Sequence, residues 1–359
     1  MVNPLSSELP ILQAPMAGGP STPALVAAVS AAGGFGFVAA GYLSALQLRD
    51  EIEATRTLTG SPFGVNLFLP SPPTEGGERG QHDQADAAIA RYAATLQPEA
   101  NRLGVSLGQP RWDDDDYPAK LDLVASSGVE VVSFTFGCPD SAAVDRLHSA
   151  GSQVAITVTG ADEAALAESA GADLLVVQGT EAGGHQATFN DDEPNQTPLL
   201  TALAEIRDTV RLPLIASGGI MVGRDLAEVL VAGAIAAQLG TAFLCTPEAG
   251  TSAIHRRALT EPLLVDTTVT RAYSGRYARG LLNRFAVEHP DAPAGYPAIN
   301  HLTRPIRAAA TASGDVDIPN LWAGTRWTLI SSAPAGEIVR RIAAGARPSA
   351  PRPGPPAHP

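Results

Sequence analysis

Cysteine is nearly absent, with only Cys138 and Cys245 in 359 residues. Two cysteines make no disulfide framework, and the scarcity fits a reducing cytoplasm. Each follows a strand-like run, so each is either a small buried apolar residue or a group facing a site. Long hydrophobic runs are missing too. No stretch of about 18 uncharged apolar residues rises above the Ala/Gly-rich segments, so no membrane span is expected. No basic segment followed by an apolar one opens the chain, so no secretory signal is read. Basic residues are in the minority, 24 Lys and Arg against 37 Asp and Glu. The resulting formal charge of −13 argues against nucleic acid as a partner.

Several catalytic spacings are missing as well. No H-x-x-H, H-E-x-x-H or paired-cysteine pattern occurs, so no metal site is expected. No G-x-S-x-G elbow occurs, so a serine triad is unsupported. The densest acidic run, Asp113 to Asp116, reads as a solvated loop, with a metal site as the alternative. Charged residues make up only 17%, against about 25% on average. Glycine and proline are frequent, at 35 and 30, and 45% of the chain is hydrophobic. That balance suits a compact α/β enzyme with many tight turns, built as one large domain or two ordinary ones.

Short apolar runs alternate with helical periodicity. The strands are predicted over residues 11–16, 35–40, 63–69, 129–136, 153–158, 174–178, 213–216 and 236–240. Eight repeats in about 240 residues imply parallel pairing and a (β/α)₈ TIM barrel. A doubly wound sheet is the alternative, but its G-x-G-x-x-G turn after the first strand is absent. Residues about 70–118 break the rhythm and read as an insertion after the third strand, with a helix near 83–96. The barrel then spans 1–260. Residues 261–345 are expected to pack on its mouth, and 346–359 form a Pro-rich tail expected to be disordered.

The candidate chemistry lies at three consecutive strand ends. Leu174 to Gln178 runs into Gly-Thr-Glu-Ala-Gly-Gly and His185. Gly183 and Gly184 permit a close backbone approach, and His185 can change charge near neutral pH. Ser217-Gly218-Gly219 and Gln238-Leu239-Gly240-Thr241 each follow a strand and precede a helical segment. Free amides at a helix start bind an anion. Either turn alone can be ordinary; the two together, with Gly183-Gly184 before them, point to a phosphate group. Asn66 and Gln178 carry amides suited to the edge of a heteroaromatic ring, or they bond protein backbone.

These residues resemble the nitronate monooxygenases, formerly grouped as 2-nitropropane dioxygenases. The resemblance is carried by Gln13-Ala-Pro-Met-Ala-Gly18, Gly64-Val-Asn-Leu-Phe68, Gln178-Gly-Thr-Glu-Ala-Gly-Gly-His185, Ser217-Gly-Gly-Ile220, Gln238-Leu-Gly-Thr241, Tyr273-Ser-Gly-Arg276 and Leu321-Trp-Ala-Gly324. It implies a barrel with non-covalent FMN. Asn66 and Gln178 would contact the flavin, and Pro15, Met16 and Ala17 would line its ring. Gly183, Gly218 and the run Gln238 to Thr241 would hold its phosphate. His185 would be catalytic, orienting an anionic nitronate or taking a proton from a neutral nitroalkane. The reaction implied is oxidation of an alkyl nitronate by O2 to a carbonyl compound and nitrite. The chain would act as a monomer or homodimer. Two stretches differ from many relatives and are expected to bear on the substrate pocket: Gln186, and Thr325-Arg-Trp327 after the Trp motif. The alternative activity is an FMN-dependent NAD(P)H reductase of an enoyl thioester or quinone. A third reading is a flavin-binding protein without catalysis.

Overall fold

The computed structural model describes residues 5–70 and 79–346, so the tail from residue 347 on lies outside the described residues. Eight parallel strands form a barrel: β1 (Ile11–Gln13), β2 (Gly36–Ala39), β3 (Phe63–Phe68), β4 (Val131–Thr135), β5 (Gln153–Val158), β6 (Leu174–Gln178), β8 (Leu214–Ser217) and β9 (Ala236–Leu239). A two-residue strand, β7 (Gly184–His185), lies outside it. The barrel strands run in the order β1-β9-β8-β6-β5-β4-β3-β2. Backbone bonds from Gln13 N to Phe35 O (2.9 Å) and from Phe35 N to Ile11 O (3.0 Å) close the ring between β1 and β2.

Strand alternation explains both the core and the site. Leu174 and Val176 point into the barrel, while Leu175 and Val177 face the surrounding helices. Ile215 and Ala236 point in, and Ala216 and Ala237 point out. A period of two forces this division. Along each strand the inward set changes character. Its lower end is apolar, filled by Leu5, Leu12, Phe35 and Phe37. Gly64 leaves room for the Phe37 ring, which a Cβ there would meet at 2.4 Å. Its upper end is polar, with Asn66, Thr135, Thr157, Gln178, Ser217 and Gln238 all opening onto one cavity.

The helices are α1 (Pro23–Ala31), α2 (Ala45–Leu58), α3 (Arg79–Leu103), α4 (Tyr117–Ser127), α5 (Ser141–Ser149), α6 (Ala161–Ser169), α7 (Leu199–Thr209), α8 (Gly223–Val231), α9 (Ala253–Thr260), α10 (Arg284–Glu288), α11 (Ala298–Ser313) and α12 (Ala335–Gly345). The caps follow side-chain chemistry: Thr22 accepts from Leu25 N, and Ser44 with Gln47 forms a capping box. The insertion helix α3 runs past its expected end and carries Pro98 inside it. Tertiary packing outweighs the proline: Leu96 and Ala100, on either side of it, are buried against a cluster including Tyr273, Phe285, Ile299 and Ile306. The insertion and the C-terminal segment therefore share one core. That segment also adds β10 (Thr267–Thr270) and β11 (Ala278–Leu281), which pair antiparallel with each other, β11 pairing in turn with β7. Its last helix leaves the mouth and packs on the barrel flank against α1 and α8.

The acidic run is not a solvated loop. Asp115 accepts from Tyr42 N at 2.8 Å, and Asp116 accepts from Ala45 N at 2.7 Å. Asp113 pairs with His301 at 2.6 Å, and Asp115 pairs at 2.8 Å with Lys120, the only lysine of the chain, whose side chain is 1% exposed. The run clasps the start of α2 to α11. Cys138 is half-buried and Cys245 buried, and neither lines the cavity.

Removing one partner of a buried ion pair strands the other charge. Asp115→Ala is expected to destabilise the fold by about 3–5 kcal/mol in urea unfolding. Adding Lys120→Met should return most of that loss. A single Asp115→Ala midpoint equal to wild type would contradict the clasp.

Candidate active site

A cavity of about 470 Å³ opens at the C-terminal ends of the barrel strands. This is where barrel folds carry their sites, and the volume suits a small-molecule ligand. Every residue picked out from the sequence lines it: Pro15, Met16, Ala17, Asn66, Gln178, Gly183, Gly184, His185, Ser217, Gly218, Gly219, Gln238, Leu239, Gly240 and Thr241.

His185 is held on both sides of its peptide. Gln178 Nε2 donates to His185 O at 3.1 Å, and Gln178 Oε1 accepts from Ala187 N at 2.8 Å. β7 pairs Gly184 with Arg279 and His185 with Ala278. The histidine thus sits on a pinned strand rather than in a free turn. Its Nε2 lies 2.8 Å from Ser274 Oγ. That hydroxyl donates to Arg276 O at 3.1 Å and accepts from Arg276 N at 3.3 Å. With its single proton so placed, the hydroxyl accepts from Nε2–H, leaving Nδ1 as the basic nitrogen. The ring packs among Phe136, Tyr296 and Trp322, with centroids 5.8, 5.8 and 5.5 Å away. Burial drives its pKa down to about 3, and the Arg276 and Arg307 guanidiniums push the same way. His185 is therefore neutral at physiological pH until an anion joins it.

Residues assigned no role from the sequence complete this end. Arg307 lines the cavity. It bonds Thr303 Oγ1 (3.0 Å), Asn320 Oδ1 (2.8 Å) and Asn300 Oδ1 (2.7 Å). Among the described residues it has no carboxylate partner, and burial lowers its pKa to about 10. Arg276 lies 4.1 Å over the Phe136 ring. Tyr42 lines the same space, and Tyr296, hydrogen-bonded to it through the hydroxyls, packs against the His185 ring. Phe136 and Tyr42 both have positive φ, 81° and 69°, a strain that persists only where the surroundings enforce it. His255 also lines the cavity; it bonds Trp322 O at 3.0 Å, and burial pushes its pKa down to about 4. A helical periodicity marks α11 but says nothing of which face meets a cavity, so Arg307 was not legible.

The other end carries the free backbone amides of a candidate anion cradle. Among the described residues, the amides of Gly218, Gly219, Gly240 and Thr241 donate to no backbone group. Gly218 and Gly219 have φ of 121° and 69°, which a side chain would resist. Just before α8, Asp225 accepts from Met221 N and Val222 N. Gly183 is required for a different reason from ligand approach: a Cβ there would meet Ala323 C at 2.5 Å. Gln186 does not line the cavity; its amide bonds Asn195 O and N at 2.8 and 2.9 Å. Arg326 does line it, but at the cradle end rather than beside His185.

The residues fit a phosphate-bearing flavin. Unpartnered amides converge at one end, and Pro15, Met16 and Ala17 form an apolar strap beside polar Asn66 and Gln178. Thr251 Oγ1 is buried beside the cavity without a hydrogen-bond partner. The family model for nitronate monooxygenase matches residues 3–345. The chain belongs to the nitronate monooxygenase family. A probable nitronate monooxygenase of Staphylococcus aureus is 39% identical over 348 residues, covering 94% of each chain. The crystal structure of a nitroalkane oxidase from Streptomyces ansochromogenes superposes with a TM-score of 0.90 at 47% identity, covering 95% of this chain and 96% of that one. FabK from Thermotoga maritima is more distant, at a TM-score of 0.72 and 27% identity over 96% and 94% of the two chains. The (β/α)₈ barrel and the assignment as a flavin oxidoreductase follow.

His185 and His255 are buried neutral, with pKa values below the ordinary 6.5. Their contribution to stability is complete above about pH 6.5 and is lost as pH falls towards 3, because the unfolded chain binds protons that the folded one refuses. Between pH 7 and pH 4, the urea midpoint of wild type should fall more steeply than that of His185→Asn. Parallel pH profiles would show that the imidazole is not held neutral.

Proposed function

We propose that the chain oxidises alkyl nitronates with O2 to a carbonyl compound and nitrite, using non-covalent FMN. The observation that carries this reading is the pairing of a neutral histidine with a half-buried guanidinium that has no carboxylate partner among the described residues, both in the wall of one cavity. A buried cation without a counter-ion is costly unless the ligand supplies the negative charge. A nitronate is an anion of the right size and charge.

In this reading Asn66 and Gln178 meet the flavin edge, and Pro15, Met16 and Ala17 line its ring. Gly183, Gly184, Ser217, Gly218, Gly219 and the run Gln238, Leu239, Gly240 and Thr241 hold its phosphate end. The flavin supplies the electron-carrying chemistry between nitronate and O2. The remaining work belongs to side chains. Arg307 offsets the charge of the nitronate and fixes its nitro end. His185 Nδ1 faces the substrate as a hydrogen-bonding group and takes the α-proton when a neutral nitroalkane binds. Ser274 holds the Nε2–H tautomer that leaves Nδ1 basic. Phe136, Tyr296 and Trp322 surround the imidazole and keep water from it.

The test combines colour, reductant and variants. The purified protein should be yellow, and anaerobic propionate 3-nitronate should bleach it faster than NADH. Rapid bleaching by NADH alone would favour a reductase of enoyl thioesters or quinones. His185→Asn should lower kcat/KM for a neutral nitroalkane by about 10²–10⁴-fold, the usual contribution of a general base. Arg307→Gln should raise KM for nitronates and spare neutral nitroalkanes. Unchanged turnover in both variants would remove these residues from the chemistry.

A further inference from the structure

The stretch Thr325-Arg326-Trp327 stands at the cradle end of the cavity, and Arg326 lines the cavity wall. With Gly324 before it, it is bonded to two of the glycine-bearing loops and borders the third. Gly324 N donates to Thr241 Oγ1 at 3.0 Å, and Thr325 N donates to Glu181 O at 3.0 Å. A Cβ on Gly219 would lie 3.9 Å from Thr325 Oγ1. Arg326 Nη1 pairs with Asp225 Oδ1. The Asp225 side chain is 6% exposed, and its other oxygen accepts from Met221 N at 2.9 Å and Val222 N at 3.1 Å. Burial alone would raise its pKa, but the Arg326 hydrogen bond and the two amides outweigh burial and keep it ionised.

This arrangement poses an electrostatic problem. A phosphate dianion entering the cradle shares this end with a buried carboxylate, which already takes the two amides just before α8. Of the three arginines in the cavity wall, Arg304 and Arg307 belong to α11. Arg326 is the cation at this end. A guanidinium has five N–H donors. Among the described residues Arg326 uses only Nη1, and its side chain is 34% exposed.

We propose that Arg326 determines the preference of this site for a phosphorylated flavin, by screening Asp225 and donating its remaining N–H groups to the phosphate. The proposal rests on the FMN reading of the cavity. It makes Arg326 a specificity residue and Asp225 its positioning partner. A guanidinium-to-phosphate contact is charge-assisted and sequence-local, so its loss is felt by FMN and not by riboflavin, which has no phosphate.

The experiment titrates flavin-free protein with FMN and with riboflavin, following quenching of flavin fluorescence. In R326Q the affinity for FMN should fall about 10–100-fold, the weight of one charged hydrogen bond, while that for riboflavin stays the same. Adding D225N should recover most of the FMN loss, because the unscreened carboxylate is gone. Equal losses for both flavins, or an FMN loss undiminished in the double variant, would reduce the pair to a helix cap and overturn the proposal. If R326Q does not fold, R326K serves instead: it keeps the charge without the fork and should lose FMN affinity alone. Wild type that binds neither flavin would overturn the cofactor reading itself. Wild type that prefers FMN, with R326Q and R326K unchanged, would overturn only the role of Arg326.

Discussion

One side-chain amide carries the site. Gln178, at the upper end of β6, donates to the carbonyl of His185 and accepts from the amide of Ala187. Through those two bonds a buried barrel strand dictates where the next loop runs. A barrel interior is rigid because it is close-packed, and here the rigidity is handed to a loop that would otherwise be free. The catalytic candidate is then locked from the far side by β11 and Ser274. Without the amide, the imidazole would still exist but its distance from the cavity floor would not be fixed, and catalytic groups lose their effect when placed loosely.

The barrel supplies only half of the enclosure. Its strand ends give a polar floor and an anion cradle. The rest of the wall comes from the C-terminal segment, which shares a core around Tyr273, Phe285 and α11 with the insertion helix. From that wall come Arg307, Trp322 and Arg326. Charge is distributed accordingly: guanidiniums stand at both ends of the cavity, while both histidines in its wall are kept neutral by burial. An enzyme whose net charge is −13 thus offers an anionic ligand a locally cationic interior. The positive φ values at Tyr42 and Phe136 lie beside this interior, and Asp115, itself at positive φ, clamps the Tyr42 amide.

Much of this was written in the chain. Short apolar runs fixed most strand ends to within a residue or two, while the first strand was read three residues too long, because an apolar run does not mark where pairing stops. Glycine-rich strand ends located the cradle. Where the reading failed, the cause was a long-range partner. The run Asp113–Asp116 reads as solvated because four carboxylates in water are unremarkable; Lys120, His301 and two distant amides make it structural. Gly183 reads as a ligand approach alone, yet it is also a backbone crossing with Ala323. Pro98 looks like a helix end and is carried through by the core on either side of it.

The sequence by itself determined the barrel, the order of its strands, the three loops that gather at one rim and the histidine among them. These depend on neighbours within about 20 residues, where periodicity and turn chemistry speak directly. Only the tertiary structure decided the protonation of that histidine, the tautomer set by Ser274, the guanidinium of Arg307 without a carboxylate, and the Arg326–Asp225 pair at the cradle. Each depends on burial and on charges brought together from some 90 or 100 residues away, and no local pattern encodes the dielectric a side chain will meet.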